Sequence, residues 1–332
     1  MPLPNIDPPL LNSACPWATT KEDLQALFDC ESTGAVTIRT SLLDGFDHNP
    51  SIHQYAFFDA SDHTPQPANS AHATPTSNSG SLNTLGYSPI LFSEYLSILI
   101  KVVQESSLPQ QVQDSKPFIV SVTGSARAVA ECYRKIQGTQ AHLSIPLCME
   151  INLSCPNIPD KPPPAYSSSA LAEYLHALAG IDTTAGQRRV AIGIKTPPYT
   201  YHDQYQSLID ALLAGSSSKG PVDFITATNT LGSCLILQDS DGKPALDSAS
   251  GEGIGGMAGA PLHPLSLGNV RTIRSMLDQH EKLRDIDIIG VGGVCDKTSF
   301  DRMRSVGASV MGVGTALGRE GVQVFGKITR GL

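Results

Sequence analysis

The chain has 332 residues, 40% of them apolar, which is enough for a sizeable core and excludes a wholly disordered protein. A formal charge of −8 with no basic run excludes a nucleic-acid partner held by counterion release. Seven cysteines without CxxC spacing and nine histidines without an HExxH pair suggest neither a disulfide framework nor a metal site.

From the N-terminus, Leu10–Ala14 reads as a strand, Lys21–Asp29 as a helix behind a Thr/Asp capping signal, and Ala35–Arg39 as a second strand. Residues 61–81, SDHTPQPANSAHATPTSNSGS, are aperiodic and rich in Ser, Thr, Pro and Asn, which predicts a flexible insertion. Thereafter helices over Phe92–Glu105, Ala126–Ile136, Ser169–Ala179, His202–Leu213, Leu265–Gln279, Thr298–Val306 and Gly321–Ile328 alternate with strands. Those strands are Phe118–Thr123, Met149–Leu153, Val190–Lys195, Phe224–Thr228, Ile286–Val291 and Ser309–Val313, with a polar loop, Ser216–Gly220, before the fourth of them. Eight strands separated by helices predict a parallel sheet closed into one (β/α)₈ TIM barrel, residues 1–332, with loop insertions; such barrels typically take roughly 250 residues. Met1–Asn12 has neither a charged leader nor an apolar core, and no run approaches the ~20 apolar residues of a membrane helix, so a soluble cytoplasmic protein is expected.

Chemistry concentrates where predicted strands end. In Met149-Glu150-Ile151-Asn152-Leu153-Ser154-Cys155-Pro156-Asn157, a strand runs into a thiol held between amides and a hydroxyl. That set offers one proton acceptor beside neutral hydrogen-bonding groups and suits a planar, amide-bearing ligand; it reads equally as a strand-to-loop junction with a buried cysteine. Lys195 closes an apolar strand, and Thr228-Asn229-Thr230 closes the next. Three glycine clusters follow, Gly253–Gly259 with Gly256 at its centre, Gly290–Gly293, and Gly312-Val313-Gly314-Thr315. The last two end the seventh and eighth strands, where barrels commonly cradle a phosphate on backbone N–H groups, so a phosphate-bearing cofactor is expected. A Rossmann reading is set aside because no acidic ribose partner follows at the required spacing.

The run NLSCPN followed by Pro159-Asp160-Lys161-Pro162-Pro163 resembles the catalytic segment of the class 1 dihydroorotate dehydrogenases, the soluble class with a cysteine base. The resemblance extends from about Leu10 to Phe325 and is densest after Met149. It implies an FMN enzyme that oxidises (S)-dihydroorotate to orotate in pyrimidine biosynthesis, with fumarate as electron acceptor and a homodimer as the assembly. Residue by residue, it makes Cys155 the active-site base and gives substrate contacts to Arg39, Asn83, Leu85, Gly86, Tyr87, Asn152, Asn157, Asn229 and Thr230. It gives FMN contacts to Ala14, Cys15, Arg39, Thr40, Asn152, Lys195, Thr228, Gly256, Gly292, Gly293, Gly314 and Thr315. No metal is implied.

The first half departs from the family pattern. Cys15 replaces a glycine, Arg39 replaces the lysine between flavin and substrate, and the loop usually read N-S-M-G-L is Asn83-Thr84-Leu85-Gly86-Tyr87. Arg39 is expected to face the cleft, the alternative being an outward turn toward Asp44. Two other readings stay open: a paralogue that keeps FMN and acts on another cyclic substrate, and a flavin-binding protein without turnover.

Overall fold

The computed structural model describes residues 3–70, 79–154, 163–181, 188–214 and 222–330. The calls on Cys155, Asn157, the Pro-rich segment before Pro163 and the Ser216–Gly220 loop lie outside these residues, as does 71–78 of the proposed insertion.

In chain order the strands are β1 Leu10–Asn12, β2 Val36–Thr37, β3 Tyr55–Phe58, β4 Gly80–Asn83, β5 Phe118–Val122, β6 Leu147–Asn152, β7 Ala191–Lys195, β8 Phe224–Ala227, β9 Leu231–Cys234, β10 Gly255–Gly259, β11 Asp287–Val291 and β12 Val310–Val313. The helices are α1 Lys21–Asp29, α2 Phe92–Glu105, α3 Gln110–Ser115, α4 Ala126–Gln140, α5 Ser168–Ala179, α6 His202–Ala214, α7 His263–Asp278, α8 Lys297–Ser305, α9 Thr315–Glu320 and α10 Gln323–Thr329. Eight parallel strands run in the order β1-β12-β11-β8-β7-β6-β5-β2, each overlapping one of the eight expected from sequence. Between β1 and β2 the ring is drawn together by a Leu11–Ala35 bridge and by the Asn12 side chain, which donates to Thr37 O at 2.6 Å and accepts from Thr37 N at 3.0 Å. The Asn12 amide thereby supplies the bonds that a longer ladder would have made.

Helix boundaries follow local chemistry. Thr20 and Asp23 form a capping box at the start of α1, Asp296 and Ser299 do the same for α8, and Ser125 and Ser167 cap α4 and α5. The expected last helix, Gly321–Ile328, is α10, and the short α9 ahead of it, ended by Gly321 at φ 69°, was not expected. α3 was not expected: its sequence, QQVQDS, has no apolar period to read.

The barrel interior changes character along its axis. At the N-terminal end Leu11, Ala35, Ile119, Cys148, Ala191, Phe224, Ile289 and Val310 meet as an apolar plug beneath which Leu3 and Ile6 pack. The larger core lies outside the strands, under the helices. A second, antiparallel sheet, β3-β4-β10-β9, has its own small core of Ala56, Phe58, Leu82, Ile236, Ala245 and Leu246. Part of the stretch read as a flexible insertion belongs to this sheet. Gly80 and Ser81 lie in β4, while Gln66 N and Asn69 N donate to Phe57 O and Tyr55 O along β3.

Candidate active site

The C-terminal ends of the barrel strands and the second sheet border a cleft with room of about 140 Å³. It brings together Ala14, Cys15, Arg39, Thr40, Asn83, Leu85, Gly86, Tyr87, Asn152, Lys195, Thr228, Asn229, Thr230, Gly292, Gly293, Gly314 and Thr315. These are the described residues singled out from sequence, with the exception of Gly256. Gly256 stands behind the wall: its carbonyl accepts from Asn83 Nδ2 at 3.0 Å, and a Cβ there would strike Thr230 Oγ1. The glycine braces two cleft residues and is not itself among those that line the cleft.

Two cations define the electrostatics. Lys195 is 3% exposed, its Nζ donates to Ser13 Oγ at 3.1 Å, and it makes no ion pair among the described residues. Burying an ammonium without a carboxylate is costly, so the site is built to receive an electron-rich or anionic group beside it. Arg39 is buried, faces the cleft and donates from Nη2 to Gly86 O at 3.4 Å, so it takes the inward of its two expected positions. Its charge, after burial, helps hold the His48 and His53 imidazoles below their ordinary pKa. Cys15 also lines the cleft, but burial pushes its thiol up to about 12, so it stays protonated at neutral pH.

Neutral groups set the recognition pattern. Asn152 Nδ2 donates to Thr40 Oγ1 at 3.0 Å, while its Oδ1 accepts from Ser154 Oγ at 2.9 Å, Ser154 N at 3.3 Å and Asn229 Nδ2 at 3.3 Å. Asn229 Nδ2 also donates to Ser154 Oγ at 3.0 Å, and Asn229 Oδ1 accepts from Thr230 N at 2.9 Å. Each amide therefore has one function left over: a second N–H on Asn152 and a lone pair on Asn229. A donor beside an acceptor is the complement of the C=O and N–H of a cyclic amide.

The turns after β11 and β12 carry the phosphate-cradle features. Gly292 and Gly293 have φ 134° and 71°, and a Cβ on either would collide with Ser266 or His263 of α7. A side chain at Gly314 would meet nothing within 4 Å and would fill the cleft instead. The cradle fits a phosphate group, and with Lys195 across the cleft it fits a phosphate-bearing cofactor.

The cleft also holds Ser13, Pro16, Trp17, Tyr55, Ser81, Ala258, Gly259, Leu262 and Val291, to which sequence reasoning gave no individual contact, although Ala258, Gly259 and Val291 fall inside the glycine clusters it singled out. Tyr55, Ser81, Ala258 and Gly259 come from the second sheet, and Ser81 Oγ is bonded to Thr315 Oγ1 at 2.8 Å. Trp17 stacks on Phe57 with centroids 5.6 Å apart, so strand β3 fixes the indole at the cleft edge.

Residues 50–332 match the model of the family described as dihydroorotate dehydrogenase. The dihydroorotate dehydrogenase A (fumarate) of Lactococcus lactis subsp. lactis is 27% identical over 326 residues, covering 98% of this chain and 89% of the relative. A protein of the same name from L. lactis subsp. cremoris is 26% identical over 326 residues with the same coverage. In fold, the chain is similar to crystal structures of DHODH from Eimeria tenella. The ligand-free form gives a TM-score of 0.69 at 18% identity, over 98% of this chain and 84% of that one. The complex with ferulenol gives 0.68 at 17% identity, over 96% and 79%.

Proposed function

The chain belongs to the dihydroorotate dehydrogenase family, and from that premise we propose that it is an FMN-dependent oxidoreductase converting (S)-dihydroorotate to orotate, with fumarate as the second substrate. The observation that carries this reading is the donor–acceptor pair of Asn152 and Asn229 in the same cleft as the buried Lys195, which makes no ion pair among the described residues. The pair suits the cis-amide edge of a dihydropyrimidine. Fumarate is supported by the names that the Lactococcus relatives carry.

In this reading Gly292, Gly293, Gly314 and Thr315 hold the cofactor phosphate, and Ala14, Cys15, Thr40, Thr228 and Lys195 surround its ring system. When bound, FMN would supply the redox chemistry, a two-electron carrier between dihydroorotate and the second substrate. Lys195 favours negative charge developing beside it, and it does so without reorganisation because its neighbours already fix it. Asn83, Asn152, Asn157, Asn229 and Thr230 orient the pyrimidine, while Arg39 with the Leu85-Gly86-Tyr87 turn closes on it from the other side. Cys155, the family's base, removes the proton at C5 as the C6 hydrogen departs with its electron pair. Among the described residues no helix is long and apolar enough to cross a membrane.

The test is anaerobic addition of dihydroorotate to the purified protein, followed by the flavin absorbance near 450 nm. Bleaching to the reduced form, reversed by fumarate, is expected. A yellow protein whose flavin stays oxidised points instead to another cyclic substrate or to binding without turnover.

A further inference from the structure

Below the cleft lies a charge that the proposed chemistry does not use. On β6, Cys148, Glu150 and Asn152 share the inward face. Cys148 sits in the apolar plug, Asn152 at the mouth, and Glu150 between them, 2% exposed. Its Oε1 accepts from Ser121 Oγ at 2.8 Å and its Oε2 from Thr226 Oγ1 at 2.6 Å, and it makes no ion pair among the described residues. On the neighbouring strand the residue level with it is Gly193, so no side chain of β7 intervenes at that level. A buried carboxylate of this kind contributes little to folding, since an apolar residue of similar volume is often as stable or more so.

We propose that Glu150 is a positioning residue that sets the hydrogen-bond polarity of the substrate-facing amides. A carboxylate only accepts, so Ser121 must give its proton to Glu150 and turn lone pairs toward Thr40, 3.0 Å away. Thr40 then gives its own proton to Ser121 and can only accept from Asn152, which must answer with Nδ2 at 3.0 Å. Oδ1 of Asn152 is thereby turned to Ser154 and Asn229, and Asn229 spends both its N–H groups there. One buried charge thus favours Asn152 as the donor and Asn229 as the acceptor, the same sense that the Ser154 and Thr230 backbone N–H groups impose on the two Oδ1 atoms. Without it the hydroxyl chain has no preferred direction, and Thr40 no longer opposes the turning of Asn152, which is then held only by the 3.3 Å bonds from Ser154 N and Asn229 Nδ2 and the 2.9 Å bond from Ser154 Oγ. Thr226 bonds the other carboxylate oxygen and lies off this chain.

The inference rests on the proposed substrate, so its test uses orotate as the probe and a matched pair of variants on the FMN-loaded protein. Ser121→Ala and Thr226→Val each remove one hydroxyl from Glu150, and only the first cuts the relay. Ser121→Ala should weaken orotate binding roughly fivefold or more and raise KM for dihydroorotate alike, with kcat within about threefold and full flavin content. Thr226→Val should stay within about twofold of the parent in orotate affinity while losing stability. Glu150→Met should match Ser121→Ala, and the double variant should be no worse than either, because both cut one chain. Equal orotate affinities for Ser121→Ala and Thr226→Val overturn the relay, and that comparison stands even if Glu150→Met does not fold. A parent protein that binds no orotate overturns the proposed function instead.

Discussion

Arg39 and Cys15 occupy positions where the family resemblance leads to lysine and glycine, and the structure gives each a physical consequence. Cys15 shares the cleft, yet burial pushes its thiol up to about 12, so it is not a competent base at neutral pH and does not compete with the proposed base, Cys155. Cys155→Ala is expected to keep FMN and to slow flavin reduction by dihydroorotate by on the order of 10²–10⁴, the usual cost of a positioned base. In the parent the same rate should rise with pH as the thiolate forms, toward a plateau above the reference thiol value of ~8.5. Stopped-flow reduction across pH 6 to 10 checks both, and parental rates in the alanine variant would remove Cys155 from the mechanism. Arg39 lines the cleft against Gly86 and keeps the positive charge of the lysine it replaces, with a longer, planar head. Arg39→Lys should therefore hold kcat/KM near the parental value, whereas Arg39→Ala should lose more than about tenfold, or ~1.4 kcal/mol of transition-state stabilisation. Equal damage from both would mean that the guanidinium fork itself is required and that the ligand carries a planar anion aimed at it.

Elements divide sharply into those the sequence revealed and those it concealed. The barrel strands are runs such as Phe118-Ile119-Val120-Ser121-Val122 and Ala191-Ile192-Gly193-Ile194-Lys195, buried on both faces and therefore apolar enough to stand out. The second sheet is built from Gly80-Ser81-Leu82-Asn83, Leu231-Gly232-Ser233-Cys234 and Gly255-Gly256-Met257-Ala258-Gly259, which have little strand propensity of their own. Their pairing, β4 against β10, joins positions more than 170 residues apart, such as Gly80 with Gly259, and no local signal announces that. The aromatic run Tyr55–Phe58 has strand propensity of its own, but the polar stretch that follows it gives no sign of a partner strand. For the same reason the strand ends of the barrel yielded most of the cleft, while Tyr55 and Ser81 did not emerge. Between β12 and α9 the position of Gly314 was legible as part of a glycine cluster, and its surroundings make it testable. A Cβ there meets no protein atom within 4 Å, so Gly314→Val should fold normally and push its side chain into the cradle. Loss of FMN on gel filtration with an apoprotein melting temperature within about 2 °C of the parent's is expected, given the size of ordinary surface effects. Full flavin retention would place the phosphate elsewhere.

Along its axis the whole molecule separates stability from function. The N-terminal end of the barrel is plugged by apolar residues, the middle holds the Ser121–Glu150–Thr226 cluster, and the mouth carries the cations and amides. A barrel of this kind can accept changes at one end without disturbing the other. Lys116, just before β5 and therefore at the end opposite the cleft, offers a test of that separation. It is 3% exposed, its Nζ donates to Cys30 O at 2.6 Å and sits 5.6 Å from the Phe28 ring centroid. Burial lowers its pKa from 10.5 to about 8, against smaller opposing effects of Cys30, Asp29 and Glu31. Between those two values the unfolded chain binds a proton that the folded chain does not, so this group's contribution to stability rises with pH across the window. Below pH 8 both states are protonated and the full burial penalty stands, on the order of 3 kcal/mol. The buried thiols of Cys15, Cys132 and Cys148, each pushed up to about 12, act oppositely, because from pH 9 the unfolded chain gains by ionising them. The parent's curve alone would mix these effects, so the quantity to measure is the difference in unfolding free energy between Lys116→Met and the parent. That difference should move against the variant between pH 8 and 10.5, as the parent sheds the penalty the variant never had. Flavin reduction by dihydroorotate at pH 7.5 should stay at the parental rate in the variant. A flat stability difference across the window would mean that Lys116 is charged in both states throughout, and a fall in activity would show that the two ends of the barrel are coupled.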